Sequence, residues 1–287
     1  MSYKQKAFLE PYIKFNTIKR TASKNDFEKD FYKLMNNAIF GKTMENVRGR
    51  CSIQAIMNEE ELIKKVRQPY FKGNHIINKD LVLVEMNKRK VVLDKPLYVG
   101  ASILDLSKIH MFGFWYDTLK PKFKENIKLL FTDTDSVCFE LKTKYSWEHY
   151  IPELKNQLDL SNLKGEYYDG SNKKVLGKFK CETEGKSIKE FIGLRPKMYS
   201  LSLEDNKEKL TAKGVKKHKI KNELKHEHYR NCLLNYKDKH ISYHTIQSKN
   251  HKIGTYKINK VALTHCDDKR FWINDIESRT YGHYKNN

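Results

Sequence analysis

Two carboxylates separated by a single residue, in the run Phe131-Thr132-Asp133-Thr134-Asp135-Ser136, carry the strongest chemical signal in this sequence. Apolar runs flank them, Ile127 to Phe131 before and Val137 to Leu141 after, so the pair is predicted at the tip of a β-hairpin. Half-burying two like charges is costly unless something neutralises them. Mg²⁺ does so, because it is a hard cation that takes carboxylate oxygens and completes its shell with water and substrate phosphates. In two-metal phosphoryl or nucleotidyl transfer one ion activates the attacking oxygen and the other stabilises the leaving one, about 3.5–4 Å apart. The same residues also suit an ordinary hairpin turn, since Asp and Ser hydrogen-bond their own backbone, and a metal-dependent nuclease would use such a pair as well.

A second group is Lys33-Leu34-Met35-Asn36-Asn37-Ala38-Ile39-Phe40-Gly41. At about 100° per residue, Lys33, Asn37, Phe40 and Met44 share one arc of a predicted helix, while Phe27, Phe31, Leu34 and Ala38 share the opposite one. The second arc is expected to pack into the protein. The first then presents a point charge suited to triphosphate oxygens, an amide for sugar or base, and an aromatic to lie against a nucleotide. Gly41 lets a backbone or base pair approach closely, at a helix cost of about 1 kcal/mol relative to Ala. A solvated polar face with one Phe reads the same way. The third group, Arg195-Pro196-Lys197-Met198-Tyr199, is strand-like, and alternation puts Lys197 and Tyr199 on one face as a phosphate-and-sugar clamp or as an edge lysine beside a half-buried tyrosine.

The elements that must position these groups follow from periodicity. Residues 1 to about 20 and 25 to about 48 are predicted helical, with Ser23, Asn25 or Asp26 as N-cap of the second. Leu81 to Met86 and Arg89 to Leu93 are predicted as a hairpin turning at Asn87-Lys88. A helix is expected from Ser102 to Leu119, stopping before Pro121, and strands over Lys174 to Cys181 and Phe191 to Leu203. One more helix is expected from Asn222 to Asn235. The class is α+β, an antiparallel sheet flanked by helices.

Composition narrows the partners. With 56 Lys and Arg against 35 Asp and Glu, the net charge is +21, a field that attracts polyanions and puts nucleic acid first. No run approaches the ~18 apolar residues of a membrane span, and the N-terminus lacks a signal-peptide apolar region, so an intracellular location is expected and no membrane partner. Five scattered cysteines without a C-x-x-C pair argue against a disulfide framework or zinc site and are read as reduced, mostly buried thiols. His226 with His228, and His240 with His244, have ligand-like spacing but no third partner, and are read as surface histidines.

Taken in order, the three groups resemble motifs of the family B DNA polymerases, and more closely those of their protein-primed branch in viruses, linear plasmids and self-synthesising transposons. The K-x-x-x-N-S-x-Y-G motif of that family is similar to Lys33–Gly41, Y-x-D-T-D-S to Phe131–Ser136, and K-x-Y to Lys197–Tyr199. Ala38, Phe40 and Phe131 each replace a residue that carries a hydroxyl. The resemblance implies fingers helices over 1–50, the C-terminal part of a palm over 51–204 and a small basic thumb over 205–287. It implies DNA-directed DNA synthesis from dNTP onto a primer 3′-hydroxyl, with two Mg²⁺ ions in a complete palm. Asp135 would be the metal-bridging carboxylate and Asp133 its lesser neighbour. Lys33, Asn37 and Phe40 would meet the nucleotide, and Gly41, Lys197 and Tyr199 the DNA. Lys108, in Leu104–Lys108, is a fainter match to a DNA-contacting T-x-x-G/A-R element. The expected partners are primer-template DNA, dNTP and a terminal protein primer.

One element of the family is absent. Its other palm aspartate lies in a D-x-x-S-L-Y-P motif before the fingers, and nothing ahead of Lys33 resembles it. The chain therefore reads as a fragment or one piece of a split polymerase, partnered by a missing N-terminal segment and inactive or nearly so alone. The alternative is a non-catalytic DNA-binding remnant.

Overall fold

The computed structural model describes residues 6–267, 269–274 and 277–286. Contacts divide the chain into two units, Met1–Cys181 and Glu182–Asn287. The class is α+β, with several small sheets in place of the one sheet expected.

In the first unit, α1 (Glu10–Ala22) and α2 (Asp26–Thr43) form the expected helical pair; residues 1–5 lie outside the described residues. Asn25 caps α2 by accepting from the Glu28 N–H at 2.8 Å, satisfying an amide left orphaned in the first turn. The inward face of α2 differs from the expected one. Tyr32, Met35, Asn36, Ile39, Phe40 and Thr43 are half-buried at helical spacing, whereas Phe27, Phe31, Leu34 and Ala38 are exposed. This mixed face lies between the two arcs read from the sequence, because the helix is shared between α1 and a later helix, α4 (Leu97–Phe112).

Strands β1 (Cys51–Ile56), β2 (Phe71–Asn78) and β3 (Leu81–Asn87), with α3 (Glu59–Val66) between the first two, make an antiparallel sheet in the order β1-β3-β2. Ile56, Val84 and Met86 are its core. The hairpin partner of β3 is therefore β2, not Arg89–Leu93, which is exposed and in no strand. Asn78 accepts from the Asp80 N–H at 2.9 Å and fixes the turn on that side, and β2 alternates half-buried and exposed residues as a pairing strand should.

Helix α4 runs on through a π-helical segment, Gly113–Leu119, into α5 (Lys120–Phe123). The expected stop before Pro121 does not occur, since proline in the first turn of α5 loses no needed N–H. Phe114, Trp115, Leu119 and Phe123 are buried against β4 (Ile127–Asp133), β5 (Ser136–Leu141), α6 (Ile151–Leu154) and the chain around Leu158. Of the strand expected over Lys174–Cys181 only β7 (Phe179–Lys180) forms, parallel to β6 (Leu158–Asp159). Lys174 and Gly177 turn back into left-handed conformations and break the rest.

In the second unit, β8 (Ile188–Arg195), β9 (Met198–Leu203) and β10 (Glu208–Ala212) form an antiparallel sheet covered by α7 (Lys217–Glu223), α8 (His226–Asn235) and the base of a long ribbon, β11 (Lys239–Lys249) with β12 (Lys252–Leu263). Its core includes Ile192, Met198, Tyr229, Cys232, Ile241 and Leu263. The single strand expected over Phe191–Leu203 is a hairpin, and the helix expected over Asn222–Asn235 is two, interrupted at Leu224-Lys225. A short pair, β13 (Arg270–Trp272) with β14 (Ser278–Thr280), follows. The boundary read at residue 205 falls in the β9–β10 turn, inside a hydrogen-bonded hairpin. No described helix is long and apolar enough to cross a membrane. All five cysteines are free, but only Cys138 and Cys232 are buried.

Candidate functional site

Strands β4 and β5 pair from Ile127↔Leu141 to Asp133↔Ser136, leaving Thr134-Asp135 as a two-residue turn. Asp133 is half-buried at the end of its strand and Asp135 is exposed at the tip. The turn is tight. The Asp135 N–H donates to the Asp133 carbonyl at 2.6 Å, and the Ser136 hydroxyl donates to the same carbonyl at 3.4 Å. Thr134 has φ +59°, left-handed backbone that a β-branched residue adopts at a cost. A register shift between Leu129 and Phe131 marks a bulge one turn below the tip, a feature that re-aims a strand end. Phe139, on β5, packs on Trp147 and Trp115, so the hairpin is anchored in the aromatic core while its tip faces solvent. The two carboxylates thus flank and occupy a short turn, Asp133 at the strand end and Asp135 at the tip, the hairpin expected from the sequence.

These are hard oxygen donors, and they suit Mg²⁺, which commonly takes one or two carboxylates and fills its shell with water and phosphate. They do not complete a two-ion site. Among the described residues, no third His, Cys, Asp or Glu joins them in a ligand group.

Lys33 and Asn37 are exposed on α2, one turn apart, as the sequence requires. Phe40 is half-buried at the edge of the inward face instead of projecting beside them, and Gly41 is exposed with no atom within 4 Å of where a Cβ would stand. The C-terminal end of α2 is held twice. A Cβ on Gly100 of α4 would overlap Met44 and approach Thr43 Oγ1 to 2.6 Å, so glycine permits the close helix approach. Beyond the helix, Glu45 accepts from Arg50 at 2.8 and 2.6 Å and pairs with Lys42, and these cations hold its carboxyl down at about 2. Lys108 is exposed on α4 and paired with Asp105 at 3.3 Å.

Lys197 and Tyr199 belong to the second unit. Lys197 is not a strand residue: Arg195 pairs with Met198, and Pro196-Lys197 form the turn, with Lys197 at φ +60°. The Lys197 carbonyl accepts from the Lys213 N–H at 3.0 Å, fixing an exposed lysine at the hairpin tip. Tyr199 is half-buried on β9, opposite Gly193 and Thr211.

Two features escaped the sequence reading. His226 is buried, not a surface histidine: Ser200 Oγ lies 2.8 Å from its Nδ1, Glu190 Oε2 lies 3.1 Å from its Nε2, and its backbone N–H donates to Glu208 at 2.9 Å. Arg230 also pairs with Glu190, and its guanidinium, then His226, holds that carboxyl below the ordinary range. Ser200 is 0 % exposed, so this Ser-His-Glu row ties α8 to the sheet and offers no nucleophile to a substrate. His240 and His244 are exposed, as expected. The second feature is the tie from Lys174 to the end of α1: its Nζ donates to the Arg20 carbonyl at 3.2 Å, and burial, then Arg20, Lys173, Lys29 and Lys180, push its ammonium below the ordinary range.

No protein-family model matches the chain, and no match appears among the curated proteins or the solved structures.

Proposed function

We propose that the chain is a DNA-directed DNA polymerase module of the family B type, in which Asp133 and Asp135 hold the Mg²⁺ that serves nucleotidyl transfer. One observation carries the reading: two carboxylates at a two-residue turn, Asp133 half-buried at the end of β4 and Asp135 exposed at the tip, on a hairpin rooted in an aromatic core. Asp133 and Asp135 would be this chain's ligands to Mg²⁺, and a site completed by a further palm carboxylate would supply the metal chemistry of nucleotidyl transfer at the primer 3′-hydroxyl and the leaving pyrophosphate. The chain's own groups bind and orient. Lys33 and Asn37 receive the dNTP, Gly41 admits the nascent pair, and Lys197 and Tyr199 hold the primer end. The net charge of +21 draws in the duplex.

A non-catalytic DNA-binding reading is favoured by one observation, the lack of a third ligand beside the two aspartates among the described residues. Single-nucleotide primer extension with Mg²⁺ separates the two. The chain is assayed alone and mixed with a polypeptide bearing a D-x-x-S-L-Y-P palm segment, each with Asp135→Ala as control. Extension in the mixture, abolished by the substitution, establishes the polymerase reading. No extension in either, with duplex binding that weakens steeply as salt rises, leaves DNA binding alone.

A further inference from the structure

Helix α4 is apolar on nearly every side. From Leu97 to Phe112 its charged side chains are Asp105 and Lys108, with His110 the remaining titratable group. A helix of that composition suits an interior, yet only one side of it is packed. Gly100, Leu104 and Met111 share that side, and Gly100 is where the end of α2 closes on α4. On the opposite side Tyr98, Leu106, Ile109 and Phe112 fall within an arc of about 120°. All four are exposed, Leu106 and Ile109 by 60 % and 65 %. Phe112 meets Tyr116 edge-to-face in the π-helical continuation, and Tyr116 is exposed as well. Single exposed apolar residues are ordinary; a stripe about 27 Å long from Tyr98 to Tyr116 is an interaction surface.

Charge identifies the partner. A nucleic-acid face on a chain of net charge +21 would be basic, whereas this one carries one acid and one base, paired with each other at 3.3 Å, and no net charge. Two copies of so basic a chain repel one another, and a face without net charge is where they can approach. The order of the two charges also makes the face complementary to itself. Two α4 helices pointing the same way would set Asp105 against Asp105 and Lys108 against Lys108. Antiparallel about a two-fold axis, Asp105 of each copy lies opposite Lys108 of the other, and an axis lying in the interface keeps both on one flank. That register is centred between Leu106 and Ser107. The same centre, to within about half a residue, sets Tyr98 opposite Tyr116 of the second copy and leaves Leu106 next to the axis, so the charges and the apolar stripe select one alignment.

We propose that the exposed face of α4 is a homodimer interface, in which two copies pack antiparallel through Tyr98, Leu106, Ile109, Phe112 and Tyr116 with Asp105 and Lys108 paired between copies on the flank. One helix pair makes a small interface, so the dimer is reversible, with a dissociation constant in the roughly micromolar range. The proposal holds whether or not Asp133 and Asp135 are catalytic.

The test is analytical ultracentrifugation of the full chain across the micromolar range, after nuclease treatment and under reducing conditions because Cys51 and Cys266 are exposed. The parent chain shows a monomer–dimer equilibrium that holds or tightens between about 0.1 and 0.5 M salt, since screening weakens the repulsion between two basic chains. Leu106→Glu sets two carboxylates against each other near the axis and weakens association about tenfold or more, with the urea midpoint unchanged as a report on the fold. Asp105→Lys and Lys108→Asp, each alone, place like charges opposite one another and weaken association roughly fivefold. An equimolar mixture of these two variants restores it, because each then presents the opposite sign to the other at both positions. A monomer at every concentration, association that survives Leu106→Glu, a mixture no tighter than either variant alone, or association lost on nuclease treatment overturns the proposal.

Discussion

Ser200→Ala removes one hydroxyl from the interior of the second unit, and the structure sets the size of the effect. Ser200 is fully buried on β9, and its Oγ lies 2.8 Å from Nδ1 of His226, the first residue of α8. In the tautomer whose Nε2 donates to Glu190, Nδ1 accepts from the serine hydroxyl. Alanine leaves that nitrogen buried without a donor, a penalty of about 1–3 kcal/mol. The expected loss is about 2 kcal/mol, a roughly 30-fold rise in the population of the opened unit. Hydrogen exchange of peptides spanning β9–β10 and α8 reads it out within the unit concerned. A double-mutant cycle identifies the cause: in a His226→Leu background the Ser200→Ala change costs less than about 0.5 kcal/mol, because no ring nitrogen remains to be orphaned. If Ser200→Ala alone leaves exchange unchanged, or costs the same with and without His226, the tie between α8 and the sheet is refuted.

Two further predictions concern the first unit. Thr134→Asn places a residue that tolerates left-handed backbone at the D-T-D-S tip, and it should stabilise the unit by roughly 1 kcal/mol in urea unfolding; equal or lower stability would show that the turn stores no strain. Glu45 has its carboxyl lowered to about 2 from an ordinary 4.5, first by Arg50 and then by Lys42. A depressed carboxylate contributes stability that is fully present above pH 4.5 and is lost as pH falls toward 2. Glu45→Gln should therefore flatten the acid-unfolding profile in that window, and superimposable profiles of variant and parent would dismiss the clamp.

Much of the local structure was legible because it is local. Asn25 as one of three candidate caps, the Asp133/Asp135 hairpin between two apolar runs and the exposed Lys33/Asn37 pair all follow from side chains acting within a few residues. Where the reading failed, a distant partner decided. β3 pairs with β2 instead of Arg89–Leu93, because strand pairing depends on which neighbour has the better turn and alternation, and both options lay within reach. α2 turns an unexpected face inward because two other helices share it, so its apolar stripe of Phe27, Phe31 and Leu34 is not its packing face.

The sequence by itself determined that this is a strongly basic α+β chain with two carboxylates at one hairpin tip; that Lys197 sits in a second turn instead of on a strand was decided by the fold. Tertiary structure alone decided that His226 is buried between Glu190 and Ser200, that Gly100 lets α4 close on the end of α2, and that Lys174 reaches the Arg20 carbonyl of α1. The physical reason is separation along the chain. Hairpin turns and helix caps are set by torsions and hydrogen bonds between near neighbours, whereas burial and charge crowding are sums over residues that only the folded chain brings together.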